Sequence, residues 1–357
     1  MWNIALAGMR AAFGGSLGMS QPILIWGAGA IGGTLGAAFI RAGEDVIFID
    51  NVKDHVDAIN EKGLKIVGPI FEDTVQARAY LPEELEGQYQ RTFLCVKAHH
   101  TEAAARSLVQ HLPADGYVVS AQNGLNERVI ARIVGEHRVI GCFVNFGADY
   151  LEPGVVQYSG HGAAVIGELD GRFTDRAEDI YQLMRHVEPK ALITNNIWGF
   201  LWGKLIYGAL LFGTALTNDS IADVLENPVA RPVLRRLALE VATVAAINNI
   251  RPEAFDGFDP AAFGPLASPE QTETSFDDMV AHNRRSAKSH SGIWRDLAVR
   301  KRKTEVDAQV MPVVEIGRES RVPTPLAARL IAMIHEIEDG KRPLDMANLE
   351  ELATVTA

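Results

Sequence analysis

The 357-residue chain has only two cysteines, Cys95 and Cys142, each inside an apolar run. Thiols so placed point to reduced side chains in a cytoplasmic setting and leave no disulfide framework. Basic charge is also scarce: 34 Lys and Arg stand against 45 Asp and Glu, a formal net charge of −11. That balance argues against nucleic acid or an anionic membrane as a main partner. No H-x-x-x-H, C-x-x-C or acidic cluster at metal spacing occurs, so no metal site is expected. Internal repeats and low-complexity tracts are absent as well.

What is present is ordinary for a globular protein: 47% hydrophobic and 22% charged residues, at a length that suggests two domains. The opening stretch "MWNIALAGMRAAFGGSLGMSQ" looks superficially like a secretory signal, but Arg10 interrupts its apolar part and no basic region precedes it. Residues 1–20 are read as a disordered extension, with Met19 an alternative start. Residues 197–216 are nearly long enough to cross a bilayer. Lys204 inside that stretch would cost roughly 2.5–3.5 kcal/mol on insertion scales, and basic flanks are missing. A buried core helix is therefore expected there.

The segment "ILIWGAGAIGGTLGAAFIRAGEDVIFID" begins with an apolar run, Ile23–Trp26, and continues through Gly27, Ala28, Gly29, Ala30, Ile31 and Gly32. A helical pattern follows, then a second apolar run, Val46–Ile49, ending in Asp50. The expected order is strand, tight turn, helix, strand. Gly27 permits the turn, Gly29 lets the backbone approach a pyrophosphate, and Gly32 lets the helix pack on the strand. The free N–H groups at the helix start face the phosphates. Asp50 can accept hydrogen bonds from ribose hydroxyls and repels a 2′-phosphate, which favours NAD(H) over NADP(H). Lys53 is either a counter-signal or a solvated helix start.

Apolar runs at residues 92–96, Tyr117–Ser120 and Val139–Val144 extend a parallel-sheet pattern. Lys97 and Asn123 lie just past strand C-termini, the edge where open α/β sheets bind ligands. Each also has a plain reading, as a solvated loop lysine and as the first residue of an Asn-Gly turn. His99 and His100 read as loop residues pointing apart, and His161 as an exposed turn histidine. "GVVQYSGHGAAVIGELDGR" reads as two short alternating runs forming an antiparallel edge pair.

After Asn196 the period becomes helical, with Leu234, Leu237, Val241 and Val244 on one face and Val306, Val310 and Val313 on another. Between them, "RPEAFDGFDPAAFGPLASPEQ" reads as a long loop, a substrate lid or a plain insertion. The basic run 300–303 reads as a solvated helix end. The expected division is a dinucleotide-binding domain over 21–195, an all-helical domain over 196–345 and a tail over 346–357.

"GAGAIGG", "VKAHHT", "AQNG", "WGKL" and "KTEVDAQ…VPTP", in this order, resemble the ketopantoate reductases over about residues 21–340. The resemblance implies a Rossmann-type doubly wound sheet followed by an all-helical domain, an active site between them, a nicotinamide cofactor, a 2-oxo acid substrate and a homodimer. It assigns Lys204 as proton donor to the substrate carbonyl and Glu305 as a ligand of the substrate hydroxyl that helps place the lysine. Asn123 falls beside nicotinamide and substrate, and Lys97 beside the cofactor. The chemistry agrees, because hydride addition builds negative charge on oxygen that a cation in a dry cleft stabilises.

The chain departs from this family in two places. Asparagines are usual four and eight residues after the lysine, where this chain has Gly208 and Phe212. Two serines usually precede the "TE" motif, the second a substrate ligand; here Ser291 remains and Gly292 replaces the second. The spacing from Asp296 to Glu305 is also one residue longer than usual. A roomier, less polar pocket is expected, and with it a bulkier or more apolar 2-oxo or 2-hydroxy compound. The alternatives are an authentic NADPH-dependent 2-dehydropantoate 2-reductase and a non-catalytic dinucleotide-binding redox sensor. A sensor would have no need of Lys204 and Glu305.

Overall fold

The computed structural model describes residues 21–285 and 289–356, so the expected disordered extension at 1–20 lies outside the described residues. In chain order the first half contains β1 (Ile23–Trp26), α1 (Ala30–Arg41), β2 (Val46–Ile49), α2 (Lys53–Lys62), β3 (Leu64–Val67), β4 (Asp73–Val75), β5 (Arg78–Tyr80) and β6 (Arg91–Leu94). Next come α3 (Thr101–Leu108), β7 (Tyr117–Ser120), α4 (Asn126–Val134), β8 (Val139–Val144), β9 (Gly147–Glu152), β10 (Val155–Gly160), β11 (Ala164–Glu168), α5 (Asp175–Met184) and β12 (Leu192–Ile193).

One sheet has eight strands in the order β12-β11-β8-β7-β6-β1-β2-β5. From β5 to β8 every neighbouring pair is parallel, whereas β11 is antiparallel to β8 and β12 parallel to β11. Strands β1, β2, β7 and β8 are buried at every position, as expected of strands covered on both faces. The chain leaves β1 toward β2 and later returns to its other side as β6. Strand order therefore reverses at β1, which opens a crevice at the strand C-termini.

A second sheet, β4-β3-β10-β9, packs beside α1. It corrects the expected edge pair. The two alternating runs form β10 and β11, which lie in different sheets and pair with β9 and β8 instead. Gly162 stands at the switch between sheets; a methyl group there would sit 2.5 Å from the Asn145 carbonyl oxygen.

The second half is helical: α6 (Ile197–Thr214), α7 (Ile221–Glu226), α8 (Ala230–Ile247), α9 (Pro269–Arg285), α10 (Gly292–Trp294), α11 (Val306–Gln309), α12 (Met311–Glu319), α13 (Pro325–Glu338) and α14 (Ala347–Ala353). Helix α6 is long and apolar enough to cross a membrane by length and composition, yet here it is a core helix packed on α8. Asn196 caps it by accepting from Gly199 N–H. Gly203 lets the segment after α8 lie against it, since a methyl group at 203 would come 2.5 Å from the Glu253 carbonyl oxygen.

That segment is irregular, as the sequence suggested, but Phe255, Phe258 and Phe263 are buried in the helical core and Phe258 stacks on Phe263. Burying three phenylalanines stabilises it by several kcal/mol, roughly 1.5–3 for each ring, so it is an anchored part of the core and not a lid. The stretch after 345 is likewise no free tail: α14 packs on α8 with Leu349 and Leu352 fully buried.

Candidate active site

The β1–α1 turn is shaped by close backbone approaches. Gly27 has φ +99°, a left-handed value that favours glycine, and a methyl group there would lie 2.8 Å from Val96 N. A methyl at Gly32 would lie 1.9 Å from the Gly27 carbonyl oxygen. At Gly29 nothing stands within 4 Å, so the one position expected to face a pyrophosphate opens onto free space. With the unpaired N–H groups at the start of α1, that opening fits a dinucleotide diphosphate.

Asp50 is more tightly held than its expected role requires. Its Oδ2 accepts from Ala28 N (2.9 Å) and its Oδ1 from Val52 N (3.0 Å), and it still borders the cleft. His55, fully enclosed, completes the bracket: its Nε2–H donates to the Ala28 carbonyl (2.9 Å) while Nδ1 accepts from Gly154 N (2.9 Å). Lys53 pairs with Asp57 one helical turn on, the solvated-helix reading of that lysine.

A cleft of about 880 Å³ runs from this turn to α6 and α11. It gathers Gly27, Gly29, Ala30, Ile31, Asp50, Lys97 and Asn123 from the sheet half with Lys204, Gly208, Phe212, Ser291 and Glu305 from the helical half. Ala28 and Gly32 are buried behind the turn and do not line it. Phe212 is fully buried and contributes only to the floor. Ser291 uses its hydroxyl oxygen to cap α10, accepting from Trp294 N (3.1 Å).

Lys204 sits on the cleft wall of α6, half-buried, and donates to the Val144 carbonyl at the end of β8. Its ammonium lies 5.2 Å from the centre of the Phe143 ring. Burial pulls its pKa down to about 8, against the opposing charges of Glu305 and Asp256. A buried carbonyl and an aromatic face thus steady the ammonium without neutralising it.

Glu305 does not touch Lys204 directly. Its Oε2 accepts from Lys97 Nζ (2.9 Å) and its Oε1 from Ala98 N (2.9 Å). This pair joins the end of β6 to the start of α11, two elements 208 residues apart in sequence. Asn123 is placed by a network: Asn126 donates to the Asn123 carbonyl (2.6 Å) and accepts from Thr101, which accepts from Gln122. Gly124, at φ +97°, lets this loop tuck under α11; a methyl there would lie 2.6 Å from the Ala308 carbonyl oxygen.

Several expectations need correction or addition. His99 and His100 do not point apart; their rings lie 4.1 Å from each other, and His100 alone borders the cleft. His161 is exposed in its turn, as expected, and bonds Glu188 (2.9 Å), away from the cleft. The basic run 300–303 does close a helical segment, a π-turn over Arg295–Val299, but Arg300 and Arg302 are tied into ion pairs with Asp296. Sequence reading missed Asn145, Asp149, Arg295 and Gln309, all on the cleft wall. Gln309 lies one helical turn after Glu305, a spacing that could have exposed it. Its Oε1 comes within 3.5 Å of where a side chain at 208 would begin, so it stands beside the space left by Gly208.

The resemblance holds on comparison with known proteins. Residues 23–171 match the family described as ketopantoate reductase PanE/ApbA, and residues 196–338 match its C-terminal part. A 2-dehydropantoate 2-reductase from Archaeoglobus fulgidus is 30% identical over 322 residues, covering 90% of this chain and 99% of that protein. Another from Pyrococcus abyssi is 30% identical over 329 residues, with the same coverage of both. Among solved structures, a D-mandelate dehydrogenase with NADH and anilino(oxo)acetate has a TM-score of 0.77 at 23% identity, covering 90% of this chain and 99% of that one. A PanE/ApbA family ketopantoate reductase from Ralstonia eutropha JMP134 has a TM-score of 0.75 at 24% identity, with the same two coverages. Two matched family segments spanning the sheet and the helical half, and relatives aligned along nearly their whole length, place this chain in the ketopantoate reductase family.

Proposed function

We propose that this protein interconverts a 2-oxo acid and its 2-hydroxy acid with NAD(H), on a substrate bulkier or more apolar than 2-dehydropantoate. The reaction class, NAD(P)-dependent oxidoreduction between CH–OH and C=O, follows from membership of the family. The observation that carries the proposal is Lys204: a half-buried ammonium, its pKa lowered to about 8, on the wall of a cleft whose other end is a dinucleotide turn.

When bound, the nicotinamide supplies or accepts the hydride. In the reducing direction Lys204 hydrogen-bonds the substrate carbonyl oxygen and gives it a proton as charge develops there. In the oxidising direction its neutral amine takes the hydroxyl proton. Glu305 keeps a negative charge near both lysines, and Lys97 holds that carboxylate in place. Asn123 supplies an amide at the strand edge, with its backbone carbonyl fixed by Asn126. Asp50 supports the preference for NAD(H), since its carboxylate is held at the edge of the cleft where a 2′-phosphate would meet like charge. Dimerisation in solution belongs to the same proposal.

Gly208 and Gly292 support the larger substrate. A side chain beginning at Gly292 would meet nothing within 4 Å, and one at Gly208 only Gln309. Initial rates with 2-dehydropantoate and a panel of branched and aromatic 2-oxo acids, each with NADH and NADPH, test the reading. Highest kcat/KM on a branched or aromatic acid with NADH is expected. Efficient reduction of 2-dehydropantoate with NADPH would overturn both the substrate and the cofactor preference.

A further inference from the structure

The turn between Phe255 and Phe258 does more than fill the core. The two phenylalanines exchange backbone hydrogen bonds, Phe255 N to Phe258 O (3.1 Å) and Phe258 N to Phe255 O (2.8 Å), which closes a two-residue hairpin. Asp256 and Gly257 at its tip have φ +45° and +82°. Positive φ at both central positions is the type I′ pattern of a hairpin this tight, and aspartate adopts it at a cost that glycine would not carry. A carboxylate is thus held where the backbone alone favours glycine.

That carboxylate reaches across to the sheet half. One oxygen, Asp256 Oδ2, accepts from Asn145 Nδ2 (2.6 Å) and from Ala163 N (3.0 Å). Beside it, the Phe255 ring packs edge-on against Phe143, with ring centres 5.0 Å apart. Phe143 and Asn145 flank Val144, whose carbonyl accepts from Lys204. The Phe143 ring also faces the Lys204 ammonium, at 5.2 Å. Three consecutive residues at and just past the end of β8 therefore form one seat for Lys204, and the hairpin grips that seat at both ends.

Charge agrees with geometry. The titratable groups that act on Lys204 are Glu305 at the start of α11, Asp256 on the hairpin and Cys142 on β8. Glu305 is already paired with Lys97, and burial pushes the Cys142 thiol up to about 12, so that it is neutral. Asp256 meets no cation among the described residues. Its charge opposes the burial that draws the Lys204 pKa down, and because Asp256 is exposed, water screens part of that effect.

We propose that Asp256 positions Lys204, locking the 143–145 seat through Asn145 and Ala163 and holding a negative charge within reach of the ammonium. This rests on the reading of Lys204 as proton donor, and names the residue that sets the pH range over which the donor is charged.

The test compares the wild type with Asp256→Asn and Asp256→Gly, both of which accept positive φ. Asparagine keeps an oxygen for Asn145 and Ala163 but removes the charge; glycine removes both. Melting temperature and the NADH dissociation constant report on fold and cofactor site. In the cofactor-free protein the titration of Lys204 is followed by NMR of isotope-labelled lysine, its signal assigned by loss in Lys204→Arg. Reduction is followed against pH with the 2-oxo acid that the wild type reduces fastest. In Asp256→Asn the Lys204 midpoint and the alkaline limb of reduction should both move down by roughly half a pH unit, the scale of one partly solvated charge, while kcat below the limb stays within about twofold of wild type. In Asp256→Gly the same shift should come with a fall in kcat of roughly fivefold or more, because the seat is no longer fixed. An unmoved Lys204 midpoint in Asp256→Asn would overturn the proposal. So would a folded Asp256→Gly whose kcat equals that of Asp256→Asn. A wild-type rate with no alkaline limb, over a range where Lys204 is seen to titrate, is a separate result: it removes the proton-donor reading and leaves Asp256 judged on the NMR midpoint alone.

Discussion

The two walls of the cleft are built on different principles. The sheet wall is set by backbone: glycines at 27, 32 and 124 admit contacts that no side chain would allow, and Asp50 and His55 bind main-chain atoms. The helical wall is set by side chains: Lys204, Glu305, Arg295 and Gln309 line the cleft from α6, α10 and α11 or their ends. A backbone-built wall tolerates little variation and receives a constant ligand. A side-chain-built wall can exchange its polar groups without moving its helices.

The contrast extends to buried titratable groups. On the helical wall, Lys204 has its pKa lowered to about 8 by burial but opens onto the cleft. Behind the sheet, Glu127 on α4 is fully buried beside the Ser120 hydroxyl. Desolvation pushes its pKa up to about 7. One group opens onto the cleft; the other is sealed.

The largest expected effect comes from Lys204→Ala. Steady-state kcat should fall by roughly 10²–10⁴-fold, the usual range for a general acid, while NADH binding measured by fluorescence holds. The wild-type pH profile sharpens this. Reduction needs the ammonium, so it should decline as pH rises through about 8, and oxidation should rise through the same value. A loss of cofactor binding in the alanine variant would break the division between walls.

Glu127 gives the next effect, in stability and not in rate. Its folded pKa near 7 exceeds the unfolded value, so the folded state keeps a proton that the unfolded state releases. Its contribution should therefore be intact below about pH 4.5, fall between there and about 7, and then level off, a change on the order of 3 kcal/mol. Glu127→Gln should flatten that fall, as chemical denaturation at pH 5 and pH 8 would show, with kcat unaltered at fixed pH. An identical pH dependence in wild type and variant would show the carboxyl to be solvated.

A smaller effect is expected at Gly208→Asn, which puts an amide into the open space beside Gln309. The ratio of kcat/KM for bulky over small 2-oxo acids should drop about tenfold, a differential on the scale of one lost apolar contact. An unchanged ratio would mean that the substrate's bulk lies elsewhere in the cleft.

The asymmetry of the walls also explains what could be read from sequence. Four core strands, Ile23–Trp26, Val46–Ile49, Tyr117–Ser120 and Val139–Val144, fall where apolar runs place them, because a strand buried on both faces has no polar alternation to confuse. The glycine turn was legible for the same reason: its chemistry is steric and local. The pairing of β10 and β11 was not, because alternation reports which face is buried but not which sheet supplies the neighbour. Nor was the partner of Glu305. Lys97 is 208 residues away, and no local rule couples them. Arg295 and Asp149 stayed hidden likewise, since charge balance within a cluster exists only once β9 and the π-turn face each other across the cleft.

Asp50 has a consequence for how such an enzyme changes its cofactor over generations. The carboxylate proposed to discourage a 2′-phosphate is the same one that anchors Ala28 N and Val52 N around the glycine turn. Replacing it with a small neutral residue would admit the phosphate but also unfasten the turn that carries the diphosphate. On the proposed NAD(H) preference, selectivity and affinity are inherited through one side chain, and a lineage cannot trade one without first securing the other by a second substitution.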